Sequence, residues 1–342
     1  MRLVIALLLL LPVFLTTQAE ARPVAYKIAD VPNHKQITGL HCGAGALQSV
    51  LDYWGPDISQ REIANVARTS SVGTYSFDMV RTGQFSHLSS AQGQFYPSDA
   101  PTSGFTGRSL GYASFGFANS TPWLEEAKDL VAQDIPVIML MLFAPAEGSG
   151  GHYRVMVGYD DNLGVAYFVD PWDRNLKQNT NADGTITWSY SDLLIAWNYG
   201  PPYSTHTHFG AAIMPWKVAL TSVKNSGQNN VVTVTAKITY PCPKPFACTT
   251  SAQNTSAKIQ LPAGVRIVSG SQNVPLGALQ AGETVTATWK VAIDQPSSEP
   301  ITVTASGYTS AAMPAANWWG GNVFYPPYSY TDEIGGEGTI IP

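Results

Sequence analysis

Apolar residues recur at helical spacing directly after Cys42. Within residues 42–54 they occupy positions i, i+3, i+4 and i+7, and they are Leu47, Val50, Leu51 and Trp54. This spacing predicts a helix with one buried face. Gly55 and Pro56 predict its end, because glycine tolerates the conformation that follows a helix and proline cannot continue one. Cys42 therefore lies at or just before the first turn of a buried helix.

Weaker patterns divide the region up to residue 216 into further elements. We predict helices at residues 59–68, 77–81, 121–132 and 191–197, with a capping box at Ser59 to Glu62. We predict strands at residues 137–143, 153–159, 165–169, 184–188 and 209–216. Residues 84–116 have no sustained period, and such a long irregular segment either lines a substrate cleft or is a plain surface excursion.

The two strands that carry His152 and Asp170 form a predicted hairpin with a turn at residues 160–164. Side chains alternate between the two faces of a sheet. If the turn centres on Asp161 or Asn162, then His152 and Asp170 lie on one face, opposite each other or one diagonal apart. A turn centred between two residues separates them.

The pattern changes near Lys217 to a regular alternation of apolar and polar residues. The clearest stretches are residues 232–238, 259–261 and 285–293, separated by Pro, Gly, Asn and Ser clusters. This alternation predicts an all-β, Ig-like sandwich over residues 217–312. Residues 313–342 form an aromatic, glycine-rich tail that we expect to pack back on a domain.

The first 21 residues have the pattern of a secretory signal peptide. Arg2 precedes an apolar run at residues 3–15 that is too short to span a bilayer, and Ala19 and Ala21 form a cleavage signal. We therefore predict a mature chain that begins at Arg22 and is secreted or periplasmic, with a retained anchor as the alternative. No later apolar run is long enough to cross a membrane.

The composition narrows the choice of partners. The chain has 342 residues, of which 13% are charged and 11% aromatic, and its net charge is −5. Few charges with many aromatic residues indicate a compact extracellular protein. Because no basic block is present, neither nucleic acid nor an anionic membrane surface is an expected partner.

Three cysteines separate into a pair and a single residue. Cys242 and Cys248 flank a proline-rich loop, and an oxidising compartment favours a disulfide between them. Cys42 is then the odd thiol, which is either an inert core residue or a reactive group. Its place at a helix start favours reactivity, because the helix dipole and the unpaired backbone N–H groups stabilise a thiolate there. Gln36, six residues upstream, supplies an amide that can fold back beside the thiol, as an acyl-transfer site requires.

The order Gln36, Cys42, His152, Asp170 resembles that of the papain-like cysteine peptidases. The nearer match is the branch that contains the bacteriocin leader-processing, double-glycine peptidases. The sequence segments on which the resemblance depends are Val31-Pro32, Gln36, Cys42-Gly43, Gly151 to Asp160 and Val169-Asp170-Pro171. The resemblance covers the first two thirds of the chain. It implies an α+β peptidase domain at residues 22–216, with N-terminal helices and a C-terminal antiparallel sheet, ahead of the β-sandwich.

The resemblance also implies a role for each residue. Cys42 is the expected nucleophile, His152 the general base and then acid, and Asp170 the group that orients the imidazole. Gln36 and the backbone N–H of Cys42 are the expected oxyanion donors. The implied reaction is hydrolysis of an amide bond in a peptide or protein substrate, with no cofactor and no metal.

Other residues compete for these roles. The rival bases are His34, His41, His87, His206 and His208, and the rival acids are Asp160, Asp161 and Asp173. His206 and His208 alternate along the chain and can share a metal ion, but no third ligand has convincing spacing.

Two other functions remain open at this point. One is a non-catalytic secreted binding or adhesion protein on the same fold. The other is amidase or transpeptidase-type acyl transfer on cell-wall peptides. In each case the β-sandwich is expected to provide stability, spacing, or contact with the cell surface or cell wall.

Overall fold

The structure is a computed structural model. It describes the following residues: 22–92, 105, 107–146, 150–172, 181–200, 207–227, 230–313, 316–318, 323–325 and 328–342. The predicted signal peptide at residues 1–21 lies outside the described residues, as do Asp173 and His206.

The first part of the chain is an α+β unit. Its helices are α1 (Cys42–Trp54), α2 (Gln60–Val66), α3 (Ser76–Gln84), α4 (Leu124–Val131) and α5 (Tyr190–Trp197). Its strands are β1 (Ala25–Lys27), β2 (Ser90–Gln92), β3 (Ala113–Phe117), β4 (Val137–Leu142), β5 (Gly151–Asp160), β6 (Val165–Val169), β7 (Ile186–Ser189) and β8 (Gly210–Met214). Seven of these strands form an antiparallel sheet in the order β3-β8-β4-β5-β6-β7, with β1 paired to β5.

Both faces of this sheet are buried. In β5, Tyr153 and Val155 belong to the core cluster that contains α1 and α2, whereas Met156 belongs to the cluster that contains α4 and α5. In β4, Ile138 and Leu140 belong to the first cluster in the same way, while Val137, Met139 and Met141 belong to the second. The sheet therefore lies between two helical layers, and the predicted α+β class is confirmed for this part of the chain.

Some predicted element boundaries change. Helix α2 has Ser59 at its N-cap, but the serine side chain makes no capping bond, so the predicted capping box does not form. Helix α4 begins at Leu124 rather than at Pro122, because Trp123 has a non-helical backbone and donates its indole N–H to the carbonyl of His208.

The second part of the chain is a β structure with two large sheets and one two-stranded sheet. Its strands are β9 (Lys217–Lys224), β10 (Val231–Thr239), β11 (Ser251–Gln260), β12 (Val265–Ser269), β13 (Asn273–Gln280), β14 (Thr284–Ile293), β15 (Ile301–Met313), β16 (Ala316–Trp318), β17 (Val323–Tyr325) and β18 (Tyr328–Ile340). One large sheet has the order β12-β14-β10-β9, and the other has the order β13-β11-β15-β18-β2. Strands β16 and β17 pair with each other in the two-stranded sheet. The disulfide Cys242–Cys248 is formed, as predicted.

Strand β18 shows where part of the predicted tail packs. It pairs with β15 along its whole length, from Ile301 opposite Ile340 to Met313 opposite Tyr328. It also pairs with β2, which comes from the α+β part of the chain. The division at residues 216 and 312 stays a prediction, but residues 328–340 are a strand of the second sheet.

The two parts share one core. The rings of Trp216 and Tyr240 stack with centroids 4.9 Å apart, and Phe246 packs against both Phe115 and Trp123. Within the described residues, no helix is long and apolar enough to cross a membrane.

Candidate active site

Cys42 is the first residue of helix α1 and is partly exposed to solvent. Gly45, in the first turn, lets the segment at Pro171 approach the helix closely, since a Cβ at Gly45 would lie 2.9 Å from Cβ of Pro171. The backbone N–H groups of Gly43 and Tyr153 donate hydrogen bonds to the thiol. The helix start therefore supplies one donor to the sulfur, as the sequence predicts, and strand β5 supplies the other.

His152 and Asp170 lie side by side, although the turn of the hairpin centres on neither Asp161 nor Asn162. Between Gly158 and Asp160 the pairing with β6 centres the turn between Asn162 and Leu163. This is the arrangement that would separate the two side chains. A register shift between Met156 and Gly158 adds one residue to β5, and Val155 then pairs with Val169.

The bulge returns His152 and Asp170 to one face. In the shifted register Arg154 is opposite Asp170, and His152 is one diagonal away. Consistent with this, Nε2 of His152 lies 2.7 Å from Oδ1 of Asp170. The predicted contact is confirmed, and both residues are buried.

Three donors hold the carboxylate of Asp170. Besides His152, Nε of Arg154 donates to Oδ2 at 2.7 Å, and the backbone N–H of Trp172 donates to Oδ1 at 2.9 Å. Burial raises the pKa of Asp170, but the hydrogen bond and charge of His152 and the charge of Arg154 lower it by more. The net pKa lies well below its usual range, so the group is an anion at neutral pH.

Cys42 and His152 are hydrogen-bond partners. Because Nε2 of His152 faces Asp170, Nδ1 is the ring nitrogen left for the thiol. Burial raises the pKa of Cys42, but the hydrogen bond and charge of His152 and the two backbone donors lower it by more. Burial lowers the pKa of His152, but Asp170 and Cys42 raise it by more. Both shifts favour a thiolate beside an imidazolium.

Two aromatic rings enclose the imidazole. The ring of Phe143 meets that of His152 edge to face at 5.1 Å, and Trp172 does so at 6.3 Å. Phe143 and Trp172 also contact each other, at 5.2 Å. The rings restrict rotation of the imidazole and keep water from one side of it.

Arg154 is a site residue that the sequence reasoning missed. It is fully buried, and besides Asp170 it donates to the carbonyls of Leu142 at 3.3 Å and Phe143 at 2.9 Å. It thereby ties Asp170 to the end of β4. The sequence does contain a signal for this role. Arg154 is two residues after His152, so both side chains lie on the same face of the strand.

Gln36 lies in the loop before α1. Its backbone N–H donates to the carbonyl of Pro171 at 2.8 Å, and its side-chain Nε2 donates to the carbonyl of Thr38 at 2.6 Å. The amide group carries a second hydrogen that this bond does not use. The loop is therefore anchored beside Asp170, while the oxyanion role of Gln36 stays a prediction.

The rival histidines have other partners. Nε2 of His34 bonds Asp52 at 2.7 Å, and Nδ1 of His41 bonds the hydroxyl of Thr38. Nδ1 of His87 and of His208 contact backbone carbonyls. His34, Asp52 and Asp57 bring three possible metal-ligand atoms within 4.8 Å of one another, but Asp52 already pairs with His34 and Asp57 accepts from Gln48.

The rival acids are also engaged elsewhere. Oδ1 of Asp160 accepts two backbone N–H groups in its own turn, and Asp161 pairs with Lys128 and Arg22. Among the described residues, Cys42, His152 and Asp170 are thus the group in which a thiol, an imidazole and a carboxylate meet.

Comparison with known proteins identified one matching family and several solved structures. The profile of the "Peptidase_C39 like family" matches residues 28–199. The search of curated proteins gave no match. A double glycine motif protease from an AMS/PCAT transporter, solved in complex with the leader peptide, is 16% identical, with 54% of this chain and 91% of that chain covered and a TM-score of 0.32. Xylellain, a cysteine protease from Xylella fastidiosa, is 16% identical, with 57% and 87% covered and a TM-score of 0.36.

The family profile spans half of the chain and includes Gln36, Cys42, His152 and Asp170. This chain therefore belongs to the Peptidase C39-like family and is a cysteine peptidase.

Proposed function

We infer that the chain hydrolyses peptide bonds with Cys42 as nucleophile, His152 as general base and acid, and Asp170 as the orienting acid. The observation that carries this proposal is the continuous chain of contacts from the thiol through the imidazole to a carboxylate held by Arg154. A buried imidazole placed between a thiol and a carboxylate is the arrangement that activates a sulfur nucleophile.

Acylation follows from these positions. The thiolate of Cys42 attacks the carbonyl carbon of the scissile amide, while His152 holds the proton that left the sulfur. The tetrahedral intermediate carries a negative oxygen, and the backbone N–H of Cys42 together with the second amide hydrogen of Gln36 donates to it. His152 then gives its proton to the leaving amine as the C–N bond breaks, which leaves a thioester on Cys42.

Deacylation reverses the proton flow. His152 takes a proton from a water molecule as the water attacks the thioester carbonyl, and it returns that proton to the sulfur as the C–S bond breaks. The products are a carboxylic acid and the free thiol. Asp170 accepts the hydrogen bond of Nε2, so the lone pair of the neutral imidazole is on Nδ1 and faces the attacking water.

The proposal includes secretion. The signal-peptide pattern at residues 1–21 and the Cys242–Cys248 disulfide both fit an oxidising compartment. The proposed substrates are accordingly peptides or proteins outside the cytoplasm. Fractionation of the producing cell, with N-terminal sequencing of the mature chain, tests this part, and a cytoplasmic chain that retains residues 1–21 contradicts it.

The catalytic proposal is tested with a quenched fluorescent peptide library and with the Cys42→Ala variant. We expect the native chain to cleave members of the library and the variant to cleave none. A cell-wall digest assayed in parallel reports amidase activity. Binding of peptides without cleavage by either protein would instead indicate a non-catalytic role, and hydrolysis that survives in Cys42→Ala would exclude Cys42 as the nucleophile.

A further inference from the structure

The side chain of Gln60 forms hydrogen bonds to the backbone on both sides of Gln36. Its Oε1 accepts the backbone N–H of Ile37 at 2.9 Å, and its Nε2 donates to the carbonyl of Lys35 at 3.1 Å. The same Nε2 donates to Oε1 of Gln48 at 3.0 Å. Gln60 is only 6% exposed, so these hydrogen bonds are shielded from water.

Among the residues that the structure describes, apolar packing contributes little to the outer side of this loop. Ile37 and Leu40 are 49% and 43% exposed, so apolar burial does not anchor the segment between Gln36 and Cys42. The opposite side is tied to the strand end at Asp170, whose backbone carbonyl accepts Nζ of Lys35 at 3.0 Å. Gln36 itself donates its backbone N–H to Pro171. The loop is therefore positioned by hydrogen bonds, with helix α2 on one side and the Asp170 segment on the other.

The pattern of the bonds matters more than their number. Gln60 contacts the residue before Gln36 and the residue after it, so it fixes the two peptide groups that set the direction of the Gln36 side chain. Because a side-chain donor acts on an oxyanion only within a narrow range of distance, small rotations of these peptide groups weaken it.

We propose that Gln60 is a positioning residue that holds Gln36 in line with the oxyanion formed at Cys42. This inference rests on the proposed function. Gln60 does not touch the substrate, and its effect passes through Gln36.

The test uses Gln60→Met, which keeps the volume of the side chain but removes its hydrogen bonds to Ile37 and Lys35. We expect kcat for the best library peptide to fall about 10- to 100-fold, less than for full loss of an oxyanion donor, which costs about 100- to 1,000-fold. Gln60→Glu keeps an acceptor for the N–H of Ile37, and we expect it to recover part of the lost rate. Gln84→Ala, at an equally buried glutamine outside the site, is the matched control and is expected to keep the native rate.

A double-mutant cycle separates positioning from general destabilisation. If Gln60 acts through Gln36, then Gln36→Ala with Gln60→Met is no slower than Gln36→Ala alone. A combined loss equal to the product of the two single losses would overturn the proposal.

The reactivity of the thiol gives a second, independent measurement. Methyl methanethiosulfonate contains no carbonyl, so its reaction with Cys42 needs no oxyanion donor. We expect Gln60→Met to react at the native rate across pH, and a loss equal to that of kcat would mean that Gln60 only supports the fold.

Amide hydrogen exchange at Ile37 tests the hydrogen bond to Gln60 without any substrate. We expect exchange at this N–H to be at least 10-fold faster in Gln60→Met, while exchange within helix α1 stays native. Unchanged exchange at Ile37 would overturn the proposal even if hydrolysis of every tested peptide fails, whereas failure of hydrolysis alone counts against the proposed function.

Discussion

The two sides of the site are held in different ways. On the imidazole side, His152, Arg154 and Asp170 are buried, and each makes a short contact with a charged neighbour. On the side of Gln36, the loop before Cys42 is largely exposed and is held by hydrogen bonds to peptide groups. Buried charge makes the first side rigid, because any movement leaves a charge without its partner. On the Gln36 side, we expect that single hydrogen bonds can be removed without unfolding the chain.

The largest effect is expected from Asp170→Asn. The neutral amide no longer stabilises the imidazolium of His152 and no longer pairs with Arg154. The corresponding change in a Ser-His-Asp triad costs about 10,000-fold in kcat. Steady-state kinetics with the library peptide measures it. A loss below tenfold would show that the acid side does not orient His152.

Arg154→Met comes next and acts on stability. It leaves the Asp170 carboxylate buried without its cation, a change that costs about 3–5 kcal/mol. The matched control is Arg266→Met, because Arg266 also contacts a carboxylate, Asp294, at 2.7 Å but is 62% exposed. An exposed pair contributes about 0–1 kcal/mol. Denaturant unfolding compares them, and equal losses would contradict the contrast between buried and exposed charge.

The pH dependence of the free energy of unfolding under acid conditions also tests the imidazole side of the site. The pKa of Asp170 is depressed in the folded chain, so its contribution to stability is present above the unfolded pKa of about 4 and is lost as pH falls through the folded value. We expect the free energy of unfolding to fall below pH 4, and to fall less steeply in Asp170→Asn. Parallel curves for the two proteins would exclude this linkage.

The thiol is expected to react at lower pH than a free cysteine. The lowered pKa of Cys42 supplies thiolate below the ordinary value of about 8.5, and the raised pKa of His152 keeps the imidazolium beside it to higher pH. Alkylation by iodoacetamide as a function of pH measures the first shift. No reaction of native Cys42 below pH 7 would show that the thiol is not activated.

The smallest effect is expected from Ile37→Ser, on the exposed loop. The side chain is half in solvent, so its removal is expected to change the free energy of unfolding by less than about 0.5 kcal/mol. Thermal unfolding measures this. A loss above about 1.5 kcal/mol would mean that apolar contacts of Ile37, and not only hydrogen bonds, anchor the loop.

Much of the site was predictable from the chain because it depends on local pattern. Helix α1 follows from its apolar spacing, strand β6 was predicted at residues 165–169, and the disulfide follows from a short proline-rich loop. The chain alone left two outcomes for His152 and Asp170, one face or opposite faces, according to where the turn centres, and the turn centres between Asn162 and Leu163. The bulge near Val157 corrected the register, and the alternating pattern of β5 does not reveal it.

The residue pattern along the chain was sufficient for helices, strands and candidate nucleophile because these depend on neighbours a few positions apart. It could not reveal that Arg154 neutralises Asp170, that Gln60 hydrogen-bonds the Gln36 loop, or that residues 328–340 complete the second sheet. Those contacts join segments far apart in sequence. Which polar groups meet there depends on how helices and sheets pack, since a buried donor or charge takes whichever partner the packing brings within reach.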